Sequence, residues 1–110
     1  MAEWQALLLS ILFEAPVAAA LVYRLRPKQA LAAAGASVLA TMASHPQLWA
    51  AALWAYPRFG YWPSILGLEI LVILFEAAVM GLILRLSWHQ ALALSFAANL
   101  VSVGAGLLLR

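Results

Sequence analysis

Two carboxylates lie inside a long apolar stretch of the sequence, and they are candidates for chemistry. Glu69 and Glu76 both occur within ILGLEILVILFEAAVMGLILRL, residues 65–86. A charge at bilayer depth costs at least about 2.5–3.5 kcal/mol on insertion scales, so a carboxylate there calls for a function or a partner. Their spacing of seven residues places both side chains on one helix face to within about 20°. We therefore expect a polar stripe on an otherwise apolar helix.

A third glutamate belongs to this set because its surroundings repeat. Ile-Leu-Phe-Glu-Ala occurs at residues 11–15 and again at residues 73–77, so Glu14 matches Glu76. A shared Ser-x3-Thr/Asn-x2-Ser pattern follows each copy, at Ser37, Thr41 and Ser44 and at Ser95, Asn99 and Ser102. We interpret the two halves as parallel repeats, related by a pseudo-two-fold axis along the membrane normal. Glu14 and Glu76 would then lie at matching depth on opposite sides of that axis, near mid-membrane.

These carboxylates could coordinate a cation or relay a proton. Ser10 is one helical turn from Glu14, and Pro16 removes a backbone donor and frees the carbonyl of Leu12. The candidate ion or proton site comprises Glu14, Glu76, Glu69, Ser10, Asn99 and Thr41. The alternative is structural: each glutamic acid is neutral and hydrogen-bonds to a polar side chain of a neighbouring helix.

Small and hydroxylated residues recur at helical spacing in the second and fourth apolar segments. Small residues let membrane helices approach closely, and interhelical hydrogen bonds add about 0.6 kcal/mol each on average. We interpret these residues as helix-packing positions, with the lining of a polar pathway as the alternative. The packing set is Ser37, Ser44, Ser95, Ser102 and Gly106.

The two histidines are weak candidates for an axial ligand of haem or chlorophyll. In a four-helix arrangement His45 and His89 fall at opposite membrane faces, so one chain could not place both on one metal. We interpret them as capping or interfacial residues. The sequence has no cysteine, no Ser/His/Asp arrangement, no Gly-rich phosphate loop and no metal-ligand cluster. We therefore predict neither an enzyme nor a bound cofactor, and the identity of any metal stays open.

The composition indicates a membrane protein. The 110 residues are 67% hydrophobic and only 9% charged, whereas soluble domains contain about 25% charged residues. A helix needs about 20 apolar residues to cross the hydrocarbon core. We predict one all-α transmembrane domain over residues 1–110, with helices over about 4–22, 29–44, 64–86 and 88–109 and a short interfacial segment at about 46–62. The four helices should form two pseudo-symmetric helical hairpins.

Local signals predict where the helices begin and end. Ser87-Trp88-His89-Gln90 is typical of a capping box, with Ser87 as the N-cap of the last helix. Ser44-His45-Pro46-Gln47 has the same form, so we expect the second helix to break near Ser44. An aromatic cluster typical of a membrane–water boundary follows: Trp49, Trp54, Tyr56, Tyr61 and Trp62.

The basic residues predict the orientation. Arg24, Arg26, Lys28 and Arg85 flank the first and third connections, whereas only Arg58 and Arg110 fall on the other side. Because positive charge marks the cytoplasmic side, we expect both termini and the aromatic segment on the non-cytoplasmic side.

A set of residues in the second half of the chain carries a family resemblance. The set is His45-Pro46, Trp49, Glu69, Glu76, Ser87-Trp88, Ala91, Ser95, Ala98-Asn99 and Ser102. In this pattern the chain resembles a loose group of small, uncharacterised bacterial four-helix inner-membrane proteins. The resemblance implies the topology and a bacterial inner membrane, or an intracytoplasmic or thylakoid-type one, and it implies no mechanism.

Three functions follow from these features. We expect first a non-enzymatic membrane subunit that packs within a homo-oligomer or a larger membrane complex, because small residues and serines occupy more than one face of the second and fourth helices. The alternative is a small proton- or cation-coupled transporter or channel that uses the mid-membrane glutamates. The third is a pigment- or haem-associated subunit. The expected partners are the lipid bilayer, further copies of the chain or other membrane subunits, and not nucleic acid.

Overall fold

The described part of the protein, residues 3–108 of a computed structural model, is helical almost throughout and has no strand. Its elements are α1 (Glu3–Leu25), a 3-10 turn (Pro27–Gln29), α2 (Ala30–Phe59), α3 (Tyr61–Leu84) and α4 (Trp88–Leu108). The predicted all-α fold with four helices is therefore confirmed. Arg110 and the predicted last helical residue, 109, lie outside the described residues.

Three of the four helices are long and apolar enough to cross a membrane, namely α1, α3 and α4. Their mean hydropathy is 2.0, 2.3 and 1.8 over the best window of each. The outer surface is apolar as well, with Leu31 88% and Leu82 81% exposed. These features are compatible with a membrane protein. The remaining helix, α2, is the longest, but its mean hydropathy is too low for it to be a candidate membrane span by the same criterion.

The predicted break of the second helix near Ser44 is wrong. Helix α2 continues for 30 residues through Pro46 and Pro57, and Ser44 donates a weak hydrogen bond of 3.4 Å to the carbonyl of Thr41 instead of capping a new helix. A proline forfeits one backbone hydrogen bond, whereas a break would leave several groups unpaired among apolar surroundings. The predicted interfacial segment, residues 46–62, is instead the second half of α2, the turn at Gly60 and the start of α3.

The predicted capping box at the start of α4 is confirmed. The Ser87 N–H donates to Oε1 of Gln90, and the Gln90 N–H donates to Oγ of Ser87, both at 3.2 Å. Helix α3 ends two residues earlier than expected because Arg85 adopts the left-handed conformation, with φ 54°. The αL residue stops the helix, and Ser87 can then begin the next one.

The helices surround a common axis. Helix α1 packs against α2 and α4, and α3 packs against the same two helices. The Arg26 guanidinium donates to the carbonyls of Leu84 at 3.0 Å and Arg85 at 3.4 Å, which joins the α1–α2 connection to the last turn of α3. We call this side of the bundle the Arg26 end and the side with the α2–α3 turn the Gly60 end.

Apolar packing is concentrated at the Arg26 end. A cluster of buried side chains from all four helices fills this half of the bundle interior, and we call it the apolar plug: Ala18, Val22, Ala33, Ala36, Met80, Leu84 and Leu94. Between the plug and the Gly60 end the interior residues become polar. The candidate site lies in this polar half.

Candidate functional site

A small cavity of about 30 Å³ lies inside the bundle, and all four helices line it. Its volume is sufficient for about two water molecules. Most of its lining is polar, and every member of the candidate ion or proton site reaches it. The lining residues are Ser10 and Glu14 of α1, Thr41, Ser44, His45 and Leu48 of α2, Glu69, Val72 and Glu76 of α3, and Asn99, Ser102 and Val103 of α4.

Two carboxyl groups meet in this cavity. Glu14 is 3% exposed and Glu76 is 1% exposed, and their side chains lie within hydrogen-bonding reach of each other. Ionised carboxylates only accept hydrogen bonds, so a bond between two carboxyl groups needs a proton on one of them. Two such groups titrate as a pair that shares protons. The two carboxyl groups are therefore placed to share a proton.

The pair has some protein partners but not enough for all its oxygens. The Asn99 side chain lies within hydrogen-bonding reach of Glu76, and the Ser102 hydroxyl lies within reach of Glu14. Among the described residues, however, Oε1 of Glu14 and Oε2 of Glu76 have no hydrogen-bond partner. Leaving a buried polar group unpaired costs about 1–3 kcal/mol. These oxygens are therefore suited to a small polar occupant.

Two groups on α2 that line the cavity are also unpaired. Oγ1 of Thr41 and Nδ1 of His45 are buried and lack a hydrogen-bond partner within residues 3–108. Both side chains line the cavity, one helical turn apart. Four of the six buried side-chain atoms that lack a partner within residues 3–108 thus line one cavity, from three helices, whereas the other two, Oγ of Ser37 and Oγ of Ser64, lie outside its lining.

The position of His45 differs from the prediction. Because α2 does not break, His45 lies in the middle of the helix and inside the bundle, stacked on Trp49 with ring centroids 6.1 Å apart, and not at a membrane face. His89 is exposed near the start of α4, so the two histidines remain apart. Within the described residues no group of three or more His, Asp or Glu side chains could hold a metal ion.

The packing set divides between two roles. Ser37 and Ser95 are buried, and Ser95 donates from Oγ to the carbonyl of Ile73 at 2.8 Å, which ties α4 to α3. Its own carbonyl accepts a hydrogen bond of 2.9 Å from Nδ2 of Asn99. Ser44 and Ser102 instead line the cavity.

Sequence reasoning did not place Ser44, Ser102 and His45 at the site, although a signal existed. Ser44 and His45 lie three and four residues after Thr41, and Ser102 lies three residues after Asn99. Side chains at these spacings share a helix face. The face of Thr41 and Asn99 therefore predicts the additional lining residues.

Two open grooves adjoin the cavity. The α1–α3–α4 groove, of about 160 Å³, lies at the Gly60 end, is lined in part by Tyr61 and Gly106, and shares Ser10, Glu69 and Ser102 with the cavity. The α2–α3 groove, of about 540 Å³, is mostly apolar. Glu69 is half-buried and belongs to both the cavity and the α1–α3–α4 groove.

Comparison of the chain with protein-family models, curated proteins and solved structures finds no match. The resemblance to small bacterial four-helix membrane proteins therefore stays a prediction.

Proposed function

We propose that this chain is an integral membrane protein that moves protons or cations, with the Glu14–Glu76 pair as its binding site. One observation carries the proposal: two carboxyl groups from α1 and α3 meet in a small polar cavity, and one oxygen of each has no partner among the described residues. A site with exchangeable hydrogen-bonding capacity can take up and release a small ion. Ionisable groups at membrane depth commonly mark such pathways.

The unpaired groups favour transport over a purely structural role. A carboxyl group retained only for packing should have its oxygens paired, because partly satisfied buried polar networks are less stable than apolar cores. Here carboxyl, hydroxyl and imidazole atoms from three helices are left unpaired around one cavity. Since no metal-binding group of three His, Asp or Glu side chains occurs in residues 3–108, a proton is the simplest cargo.

The matched sequence repeats support a symmetrical arrangement of the pair. Glu14 and Glu76 occupy the same position of Ile-Leu-Phe-Glu-Ala, one in each half of the chain. Both side chains point into the same cavity. We take the helices as two pseudo-symmetric hairpins in a parallel repeat, with the pair close to the axis between them.

We further propose a bacterial inner membrane, or an intracytoplasmic or thylakoid-type one, with the Arg26 end in the cytoplasm. Arg24, Arg26, Lys28 and Arg85 all belong to the connections at that end. Cytoplasmic connections carry an excess of Lys and Arg. The start of α1 and the end of α4 then lie on the non-cytoplasmic side.

Proton flux into liposomes tests the function. Purified protein is reconstituted into liposomes, and a potassium-diffusion potential that makes the lumen negative is applied. Acidification of the lumen is followed with a trapped pH dye. The wild type should acidify the lumen well above empty liposomes, and Glu76→Gln should reduce that excess by at least about tenfold, the size expected when a positioned proton-transfer group is lost. Glu3→Gln is the matched control, because Glu3 is exposed and lies outside the cavity lining.

Equal flux in the wild type and Glu76→Gln would contradict the proposal, and so would wild-type flux no greater than that of empty liposomes. Glu14→Gln provides an independent variant of the same pair. Size-exclusion profiles of each variant show whether a loss of flux follows a loss of folding.

A second candidate function, an accessory subunit in a homo-oligomer or larger membrane complex, is favoured by the glycines. Side chains built at Gly35, Gly67, Gly104 and Gly106 would meet no atom within 4 Å, whereas one at Gly81 would contact Ala91 at 3.2 Å. Open glycine faces allow another helix to approach closely. Isolation in mild detergent tests this function: a stable, solitary monomer would contradict it, and a defined oligomer or a co-purifying subunit would support it.

A further inference from the structure

Each open groove shares several lining residues with the cavity, and we call each shared set a wall. The two walls differ in chemistry. The wall towards the α2–α3 groove consists of Ser44, Leu48 and Val72. The wall towards the α1–α3–α4 groove includes Ser10, Glu69 and Ser102. An ion that leaves water needs polar partners along its path, because burying charge without them is costly. The first of these walls offers a single hydroxyl group, whereas the second offers two hydroxyl groups and a carboxyl group.

The opposite side of the cavity is closed by the apolar plug. Met80 is fully buried one turn beyond Glu76, and Ala18 is fully buried one turn beyond Glu14. On α2, Ser37 lies one turn beyond Thr41, is 1% exposed, and lines neither the cavity nor a groove. The interior between the cavity and the Arg26 end is therefore packed.

Resting on the proposed function, we infer that protons or cations reach the Glu14–Glu76 pair from the Gly60 end, through the α1–α3–α4 groove, and that Glu69 is the carboxyl group they meet first. Glu69 lies about two turns from Glu76 on the same face of α3, and it lines both the groove and the cavity. The buried, unpaired oxygens of Glu14 and Glu76 lie beyond it. The path therefore passes from a half-buried carboxyl group to a fully buried pair.

Cysteine accessibility tests the path directly, because the chain contains no cysteine of its own. Ser102→Cys and Ser10→Cys each place a thiol on the shared wall, and Ser37→Cys is the matched control beyond the cavity. The purified variants are treated in detergent, where both ends meet water, with cationic and with anionic methanethiosulfonate reagents. We expect Ser102→Cys and Ser10→Cys to react with the cationic reagent at least about tenfold faster than Ser37→Cys.

A second substitution tests Glu69. In the Ser102→Cys background, Glu69→Gln should lower the ratio of the cationic to the anionic reaction rate by about tenfold, because a cleft lined by one sign of charge raises the local counter-ion concentration by about that factor or more. Glu3→Gln in the same background should leave the ratio unchanged, since Glu3 does not line the groove.

Each unexpected outcome has a definite meaning. Equal reaction at Ser37→Cys and Ser102→Cys overturns the one-sided path, and an unchanged charge ratio in Glu69→Gln overturns the assignment of Glu69. If Ser102→Cys fails to fold, Ser10→Cys carries the same measurements. The path and the transport function fail separately: expected rates without liposome flux remove only transport, whereas flux with slow reaction at both Ser10→Cys and Ser102→Cys removes only the path.

Discussion

Glu14 and Glu76 occupy positions that apolar residues would fill at a lower cost in free energy. Both side chains are almost completely buried, and each keeps one oxygen unpaired within the described structure. Replacing both partners of a buried hydrogen-bonded pair by apolar groups of the same shape can be nearly neutral or stabilising, whereas removing one partner leaves the other unsatisfied, at a cost of about 1–3 kcal/mol. The stability of variants therefore distinguishes a carboxyl pair that is retained for function from one that is retained for the fold.

The double variant Glu14→Met/Glu76→Met should be at least as stable as the wild type. Methionine has a similar length, and it removes both carboxyl groups and their unpaired oxygens. We expect an unchanged or higher Tm in detergent, because no buried polar group is left without its partner. Glu76→Met alone should lower the Tm, because it leaves the Glu14 carboxyl buried without its partner. Glu3→Met, at an exposed position, is the control. A double variant less stable than either single variant would indicate that the carboxyl groups serve the fold.

At the scale of the helices, α2 is the element that determines what the cavity contains. Its uninterrupted course from Ala30 to Phe59 brings Thr41, Ser44 and His45 to the cavity on one face. A helix that ended near Ser44 would place His45 at a membrane boundary. Pro46 lies directly after these residues and points outwards, so its effect is on the backbone.

Pro46→Ala should stabilise the protein or leave it unchanged. Alanine restores a backbone N–H that can donate to the carbonyl of Met42 within a continuous helix, and proline is about 3 kcal/mol less favourable than alanine in a helix interior. We expect part of this difference as a rise in Tm. Pro57→Ala, in the last turn of α2, should have a smaller effect. A marked fall in Tm for Pro46→Ala would show that Pro46 opens a new helix instead of lying inside one.

Much of the fold could be predicted from local signals, and the site only in part. The Ser87–Gln90 capping box and the apolar runs of α1, α3 and α4 depend on neighbouring residues, so the sequence reports them directly. The course of α2 could not be found in this way, because the local turn signal of Pro46 competes with the need of backbone groups for partners in apolar surroundings. The polar candidates were recognisable by type, but their convergence depends on the rotation of four helices about their axes.

The two ends of the bundle differ in the polarity of their interior and in the charge of their connections. The Arg26 end has an apolar interior and basic connections, whereas the Gly60 end has a polar interior beside an aromatic cluster. Its outer surface exposes many large apolar side chains, which a bilayer would cover. This polarity along the axis predicts one orientation in the membrane.

Single cysteines introduced at the two ends test that orientation. His89→Cys lies near the Arg26 end and Phe59→Cys at the Gly60 end, both at exposed positions. In intact bacterial cells an impermeant maleimide should label Phe59→Cys, and His89→Cys should be labelled only after the cells are opened. The reverse pattern would place the Arg26 end outside and contradict the orientation inferred from the basic residues.

We expect the Glu14–Glu76 pair to hold a proton that exchanges with water. Infrared spectroscopy of the reconstituted protein measures this through the carbonyl stretch of protonated carboxyl groups. We expect a protonated-carboxyl band that shifts when water is replaced by D2O. This band should lose intensity in Glu76→Gln but not in Glu3→Gln. A band that does not shift in D2O, or that is unchanged in Glu76→Gln, would contradict it.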